Sequence, residues 1–432
     1  MSKKKLSTRL YDYLSGHANA EKKIPLDQAA IERNFFCHLW ISLGNKLADS
    51  LISPRLILPW LLNAMLSPMW VVSLLVPIRE AGALLPQLLV ASILRVKKVR
   101  KWVWVKACIV LTLCGLVLMA LSMVGEGSWG AVLVLITLTV LSLARGVTSI
   151  TSKDVMAKTV DKSSRGHLMG WSTSIAGGIT LLAGFVLILL TDQPSRPIVA
   201  CLLLLATLGW AVDILFCARL VEPDSEIEPS VKQKNTLVRA WELLVKDKQF
   251  FHFNVSRSLL LSSALALPYI AVLGRQHSGA SLDGLGILVL ISGVATMIAS
   301  PFWGKYSDYS SRNVMRDSGL IVAALCILIT LFGYLPTVLS ASIWPYALAY
   351  GGVVIGEVGI NIGRKTYIVN MGDGESRALY IALSNTITGV LVLVLGALLA
   401  LLSIWTRIDT VLIVLAVGCI IGAWSTQQLQ NI

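Results

Sequence analysis

Val105–Val124 reads VKACIVLTLCGLVLMALSMV, twenty residues whose one charge, Lys106, sits at the edge. A helix of that length is about 30 Å long, the thickness of a bilayer's hydrocarbon core. The run does not alternate apolar and polar residues, as a membrane strand would over about 10 positions. Lipid offers backbone amides no hydrogen-bond partner and a helix satisfies its own, so the stretch reads as a membrane-spanning helix. Comparable runs recur at Ala131–Leu143, Leu181–Leu190 with its flanks, Ile321–Leu335 and Leu391–Leu402. Of 432 residues, 55% are hydrophobic and 14% charged, and the mean hydropathy is +0.74. A soluble domain needs more charge than this to cover its surface. The expected class is an all-α polytopic membrane protein.

Twelve spans are expected, at approximately 46–66, 69–92, 102–123, 129–149, 168–190, 197–219, 253–274, 284–306, 318–337, 342–363, 378–403 and 406–425. Their connections alternate in charge. One set holds Lys3, Lys4, Lys5, Lys22 and Lys23, then Arg95, Lys97, Lys98, Arg100 and Lys101, then Lys153, Lys158, Lys162 and Arg165. It continues with Lys232, Lys234, Arg239, Lys246 and Lys248, then Lys305, Arg312 and Arg316, then Arg364, Lys365 and Arg377. The other set holds Arg196, Arg275 and Arg407 among Glu126, Asp192, Asp283 and Asp409. Basic loops stay on the cytoplasmic side, so both termini are expected there, in a plasma membrane such as the bacterial inner membrane. The net charge of +13 is then a record of topology, and no nucleic-acid partner is expected. The N-terminus opens Met-Ser-Lys-Lys-Lys and stays polar for some forty residues, without the short apolar core of a signal peptide. Seven cysteines, mostly inside apolar segments and without a CxxC, read as small buried residues.

The polar stretch Val221–Lys248 divides the spans six and six. The expected organisation is an N-terminal segment at 1–45, a six-helix bundle at 46–220, a linker at 221–250, a second bundle at 251–427 and a tail at 428–432. Two stretches have the spacing of helices lying along the membrane surface. They are Thr236–Lys248, with Leu237, Trp241, Leu244 and Val245, and Pro25–Lys46, with Ile31, Phe35, Phe36, Leu39 and Trp40.

The halves can be laid over each other. Ser164-Arg165 matches Ser376-Arg377 at an offset of 212 residues, and at the same offset Ser172 meets Ser384, Gly177 meets Gly389 and Gly184 meets Gly396. Asn45 and Leu58-Pro59-Trp60 match Asn254 and Leu267-Pro268-Tyr269 at an offset of 209. A parallel duplication places a binding site at mid-membrane between the repeats. Between spans eight and nine stands Gly304-Lys305-Tyr306-Ser307-Asp308-Tyr309-Ser310-Ser311-Arg312. With this layout, the chain after about residue 44 resembles the major facilitator superfamily. The loop is similar to the family's Gly-x-x-x-Asp-(Arg/Lys)-x-Gly-(Arg/Lys) motif, with Gly304, Asp308 and Arg312 in register and departures at Tyr309 and Ser311. The resemblance implies a latch on the cytoplasmic side, formed by these three residues with Arg165 and Arg377. The equivalent first-half loop is degraded, with Leu89 at the Gly position and Ile93 at the Asp position. The Gly-Pro pair of the drug-antiporter branch is missing from span five.

Ionisable groups inside spans are costly and mark function first. Arg55 lies about 10 residues into span one, roughly 15 Å deep. Arg79 and Glu80 lie at similar depth in span two, and Glu80 is expected to pair with Arg55, for structure or for transport. Arg145 and Glu357 occupy equivalent places, 212 residues apart, and opposite charges there suggest pairing across the halves. Arg145-Gly146 resembles the family's span-four motif, which implies a link to proton coupling; snorkelling to the interface is the other reading. Glu357, between Gly356 and Gly359, reads as a cavity-facing carboxylate able to carry a proton. Asp213 reads as interfacial. Asn254, Ser256, Ser258, Ser262 and Ser263 offer hydrogen bonds in span seven or serve helix packing. Five histidines show no metal-ligand spacing and no GxSxG or phosphate loop occurs, so neither an enzyme nor a cofactor is expected.

Two functions follow from these readings. One is a monomeric secondary transporter moving a small-molecule solute, with protons, across the lipid bilayer by alternating access. The other is a transport-inactive relative acting as membrane sensor or assembly partner, which the degraded loop favours.

Overall fold

The computed structural model describes residues 8, 10–11, 13–15, 25–189, 195–224, 247–279, 282–333, 342–371 and 374–430, and among them all regular structure is helical. The first half holds α1 (Gln28–Leu51), α2 (Ile57–Ala64), α3 (Met69–Leu84), α4 (Gln87–Arg95), α5 (Lys101–Val124), α6 (Gly127–Thr159), α7 (Lys162–Leu189) and α8 (Ser195–Arg219). The second holds α9 (Lys248–Leu260), α10 (Ser262–Ser278), α11 (Leu282–Phe332), α12 (Trp344–Met371), α13 (Gly374–Trp405) and α14 (Ile408–Ser425). Nine helical segments among the described residues are long and apolar enough to cross a bilayer. One of them, Asp283–Phe332, has 50 residues, more than twice what one crossing needs, and bends at Ser310, whose backbone is extended (φ −163°, ψ 101°). Counted as two, and joined by the interrupted pairs α1–α2 and α3–α4, these segments make twelve crossings.

Each interruption has a local cause. Between α1 and α2 stands Ser53-Pro54-Arg55, where Pro54 has no N–H to continue the helical ladder. Between α3 and α4 stands Pro86. Between α9 and α10 only Leu261 departs, with Ala264 N still bonded to its carbonyl at 3.0 Å.

The first span differs from expectation. Residues 28–51 form one helix, so the boundary at 45 falls inside it. Ala30, Ile31, Asn34, Phe35, His38, Ile41, Asn45 and Ala48 are all buried, against α7 and α8. Asp27 caps the helix by accepting from Ala30 N at 3.1 Å. The amphipathic spacing that suggested a surface helix is the spacing of a helix packed on one face. The linker helix expected around Leu237–Val245 lies outside the described residues, and the side chain of Arg377 does too. Arg364 and Lys365, expected in a loop, lie within α12.

Burial sorts the helices by position. The apolar stretch of α9–α10 is 89% buried, whereas that of α5 is 44% buried. Leu113, Leu116 and Val117 on α5 are correspondingly exposed, as side chains facing lipid should be. The halves meet where α3 packs on α13 and α7 on α11. The repeat-matched pair Gly184 and Gly396 lies at these two seams. A Cβ on Gly184 of α7 would touch Val289 at 3.0 Å, and one on Gly286 of α11 would lie 2.6 Å from the Gly184 carbonyl. A Cβ on Gly396 of α13 would collide with the Pro77 ring of α3. The α7–α11 seam closes at the end away from the basic loops, while a Cβ at Gly170, Gly177, Gly178 or Gly304 would meet nothing within 4 Å.

Gly396→Ala is therefore expected to lower the melting temperature of the purified protein by the equivalent of about 1–3 kcal/mol of overpacking. Gly177→Ala, at an open position of α7, should not lower it; equal losses would show that the seam is not tightly packed.

Candidate functional site

The break around Pro54 takes Arg55 off the helical path and aims its guanidinium at the centre of the protein. Its Nη2 lies 3.0 Å from Glu80 Oε1 on α3. Its Nη1 lies 2.7 Å from a carboxylate oxygen of Glu357 on α12. Asn361, one turn along α12, donates to Glu357 Oε1 at 2.8 Å. The Arg55–Glu80 pair is present as expected, and its third member belongs to the other half of the molecule. These groups line a small, partly open cavity together with Leu260, Leu261, Ser263, Ala264, Ile360 and Arg364. Arg55 and Glu80 each keep 27% of their side-chain surface exposed although they lie at mid-helix depth, so that surface faces the cavity.

A second cluster sits beside the first. Asp49 of α1 accepts from Arg79 Nη2 at 2.7 Å and from Arg145 Nε at 3.0 Å, and Arg145 Nη2 closes a bidentate pair on its other oxygen. Arg145 Nη1 also donates to Asn45 Oδ1 at 2.7 Å. Arg145 and Glu357, expected to pair across the halves, are therefore not together: each has a partner on the α1–α2 segment. Asp49 was missed because it lay near the assumed start of span one, whereas the helix begins about twenty residues earlier. Arg79 and Glu80 are neighbours on α3, about 100° apart around the axis, so one faces each cluster. The two clusters contain Arg55, Arg79 and Arg145 against Asp49, Glu80 and Glu357, and their charges balance.

A third polar chain crosses the halves without a carboxylate. Arg257 of α9 donates from Nη1 to Ser384 Oγ at 2.6 Å and from Nη2 to Asn385 Oδ1 at 2.9 Å. Asn385 Nδ2 donates to Gln87 Oε1 of α4 at 3.1 Å. Ser384 Oγ donates to Asn254 Oδ1 at 2.7 Å. Asn254 and Asn45, matched in the repeat, make the same local bond, to Phe250 O at 2.8 Å and to Ile41 O at 3.0 Å. Each thereby keeps its amide oxygen for a second partner. Ser258 is buried, with its hydroxyl unbonded. Arg257 was passed over in the sequence because it falls between serines close to the start of span seven.

Among the described residues, those expected to form a latch do not meet. Arg165 donates to the carbonyls of Val160 and Ala157 at 3.0 and 2.7 Å, within its own half. Arg312 donates to Leu429 O at 3.0 Å, within the other half, and Asp308 is exposed. At the same end, the Tyr306 hydroxyl donates to Asp317 Oδ2 at 2.7 Å.

Asp213 was expected at an interface and is instead fully buried in α8, with neither carboxylate oxygen hydrogen-bonded. Its Oδ1 would lie 2.6 Å from a Cβ at Gly44, and Gly209 brings its carbonyl within 2.7 Å of the same point. The two glycines let α1 and α8 close over the carboxyl and exclude water from it. A carboxyl closed off from water without a hydrogen bond is costly to keep ionised inside a membrane.

No family model matches the chain, and no curated protein matches its sequence. Solved structures do match in fold. A D-xylose-proton symporter has a TM-score of 0.67 at 12% identity, covering 92% of this chain and 98% of that one. A POT family transporter in complex with 5-aminolevulinic acid has a TM-score of 0.69 at 12% identity, covering 91% and 95%. The nucleoside transporter NupG has a TM-score of 0.64 at 13% identity, covering 91% and 98%. The chain shares the fold of these structures, that of an all-α polytopic membrane protein.

Arg55→Gln leaves two carboxylates facing each other and is expected to cost about 3 kcal/mol, the lower end for a broken buried pair because part of the group reaches water. Adding Glu357→Gln should recover at least about 1 kcal/mol, measured as a double-mutant cycle of thermal unfolding; strict additivity would mean that the pair is not coupled. Asp213→Asn, the same shape without charge, should unfold within a few degrees of the wild type at neutral pH. A large loss of stability there would show that the ionised form is needed.

Proposed function

We propose that this chain is a secondary transporter that moves a small solute across the membrane by rocking its two halves about the central cavity. The observation that carries the reading is the Arg55 bridge: one guanidinium of the first half holds a carboxylate from each half over a cavity at mid-membrane depth. Charges buried in a bilayer are retained at a cost, and one shared between two rigid halves changes its partners when they rock. The matched structures are named as transporters of nucleosides, as POT family transporters and as a D-xylose-proton symporter, which supports the class without naming the cargo. With the basic loops and both termini on the cytoplasmic side, the closed α7–α11 seam faces outward and the cavity opens inward. A bacterial inner membrane is the setting that this orientation suits. Arg165 and Arg312, each bonded within its own half, fit that inward-facing state. One chain supplies both halves and every residue of the site, so a monomer is sufficient.

Proton coupling is assigned to Glu357. Only as a carboxylate does it hold Arg55 by charge; protonation leaves a hydrogen bond and releases Arg55 to Glu80 alone. A proton arriving at Glu357 would thus loosen the link between the halves, and solute binding beside it would alter the same balance. Asn361 keeps the carboxyl oriented in either state.

In proteoliposomes carrying a panel of nucleosides, dipeptides, pentoses and small organic acids, at least one solute should move faster under an imposed pH gradient. Glu357→Gln should keep binding and exchange while flux no longer responds to pH. Flux that follows pH equally in wild type and variant removes Glu357 from the coupling step, and no flux of any solute in well-folded protein sinks the transport reading.

A further inference from the structure

We propose that Arg257 and Arg364 form an oxyanion subsite at the end of the cavity nearest the basic loops, and that the transported solute carries a carboxylate or phosphate group that binds there. The inference rests on the transport reading for the word solute; the subsite itself follows from charge.

An arginine in a protein does not lose its proton, so its charge must be met by an anion or by water. Arg257 is only 6% exposed, and no carboxylate pairs with it. Its two terminal nitrogens are held by neutral acceptors, Ser384 and Asn385, and its Nε is buried with no hydrogen-bond partner. Arg364 lines the cavity and makes no hydrogen bond or ion pair with any described residue, leaving the whole donor fork of its guanidinium open. The carboxylates nearby are already committed. Glu80 and Glu357 share Arg55, and Asp49 is shared by Arg79 and Arg145. Asp213 is closed off between α1 and α8.

Position brings the two free charges together. Arg257 is one helical turn before Leu260 and Leu261, which line the cavity from α9–α10. Arg364 is one turn beyond Ile360 and Asn361, which line it from α12. The helices run in opposite directions, so both steps lead to the same end of the cavity, where the guanidinium groups repel each other and Glu80, already held by Arg55, attracts both from farther off. Lys365 and Lys153 add positive charge at that mouth. A planar or tetrahedral oxyanion between the two arginines removes the repulsion, with Arg364 binding it bidentately and Arg257 supplying charge from a fixed position. Because Arg257 also holds Asn385, which bonds to Gln87 of the other half, occupancy is communicated to the contact between halves.

The test is thermal unfolding of the purified full chain, titrated with inorganic phosphate and with succinate against chloride at equal ionic strength. A saturable rise in melting temperature is expected with at least one of the two oxyanions, and which one responds tells phosphate from carboxylate recognition. Arg364→Gln should weaken that response at least tenfold without lowering the melting temperature in chloride; Arg257→Gln should weaken it likewise, from a lower starting melting temperature because its bonds to Ser384 and Asn385 are lost. Arg364→Lys, which keeps charge but loses the fork, should fall between and serves if a Gln variant does not fold. No saturable rise with either anion in the wild type, or Gln variants that respond like the wild type, would overturn the subsite. Since binding is read without a gradient, oxyanion binding in a protein that shows no flux would sink transport and leave the subsite standing.

Discussion

A bilayer interior offers no water to solvate a charge, and that constraint organises everything at the centre of this protein. Arg55 is where it acts most directly. It sits at a proline-interrupted point of the first span, close to two carboxylates, and one of them comes from the other half of the chain. Had Pro54 not broken the helix, Arg55 would continue a regular face of α1. The bridge between halves therefore begins with a missing backbone N–H.

Around that bridge the charges divide into a balanced part and an unbalanced one. Arg55, Arg79 and Arg145 are met by Asp49, Glu80 and Glu357, largely within the first half and across to α12. Arg257 and Arg364, both from the second half, form no ion pair among the described residues; Glu80 attracts both but is held by Arg55. The duplicated halves thus share a backbone plan and differ in electrostatics. Asn45 and Asn254 show this in miniature: each makes the same backbone bond, yet one receives a guanidinium and the other a serine hydroxyl. A symmetric frame supplies two bundles, and asymmetric charge gives the cavity between them a sign.

The small residues act on the same frame. Gly184 with Gly286, and Gly396 with Pro77, let the halves approach without side chains between them, at one end of the molecule. In lipid, where no hydrophobic drive pulls helices together, such close backbone contact is a main source of packing energy. The seam is tight enough to hold one end shut while the central charges remain in contact with a water-accessible space.

The sequence by itself determined the class and the layout. Runs such as Val105–Val124 match the bilayer in length, loop charges alternate, and a 212-residue offset relates the halves; all three are local or periodic properties that need no contact map. It also marked Arg55, Glu80 and Glu357, since any charge within such a run is conspicuous. What it did not determine was partnership. Arg145 and Glu357 looked paired by symmetry, but Asp49 lay closer in space, in a helix whose start near residue 28 was masked by polar residues. Asp213 looked interfacial until Gly44 and Gly209 brought α1 over it, and Arg257 was hidden among serines. Which charge meets which, and which is left for a ligand, depends on helix rotation and on contacts between segments 100 to 300 residues apart. Only the packed bundle sets those distances, because the energy of a charge inside a membrane is decided by its nearest neighbours in space.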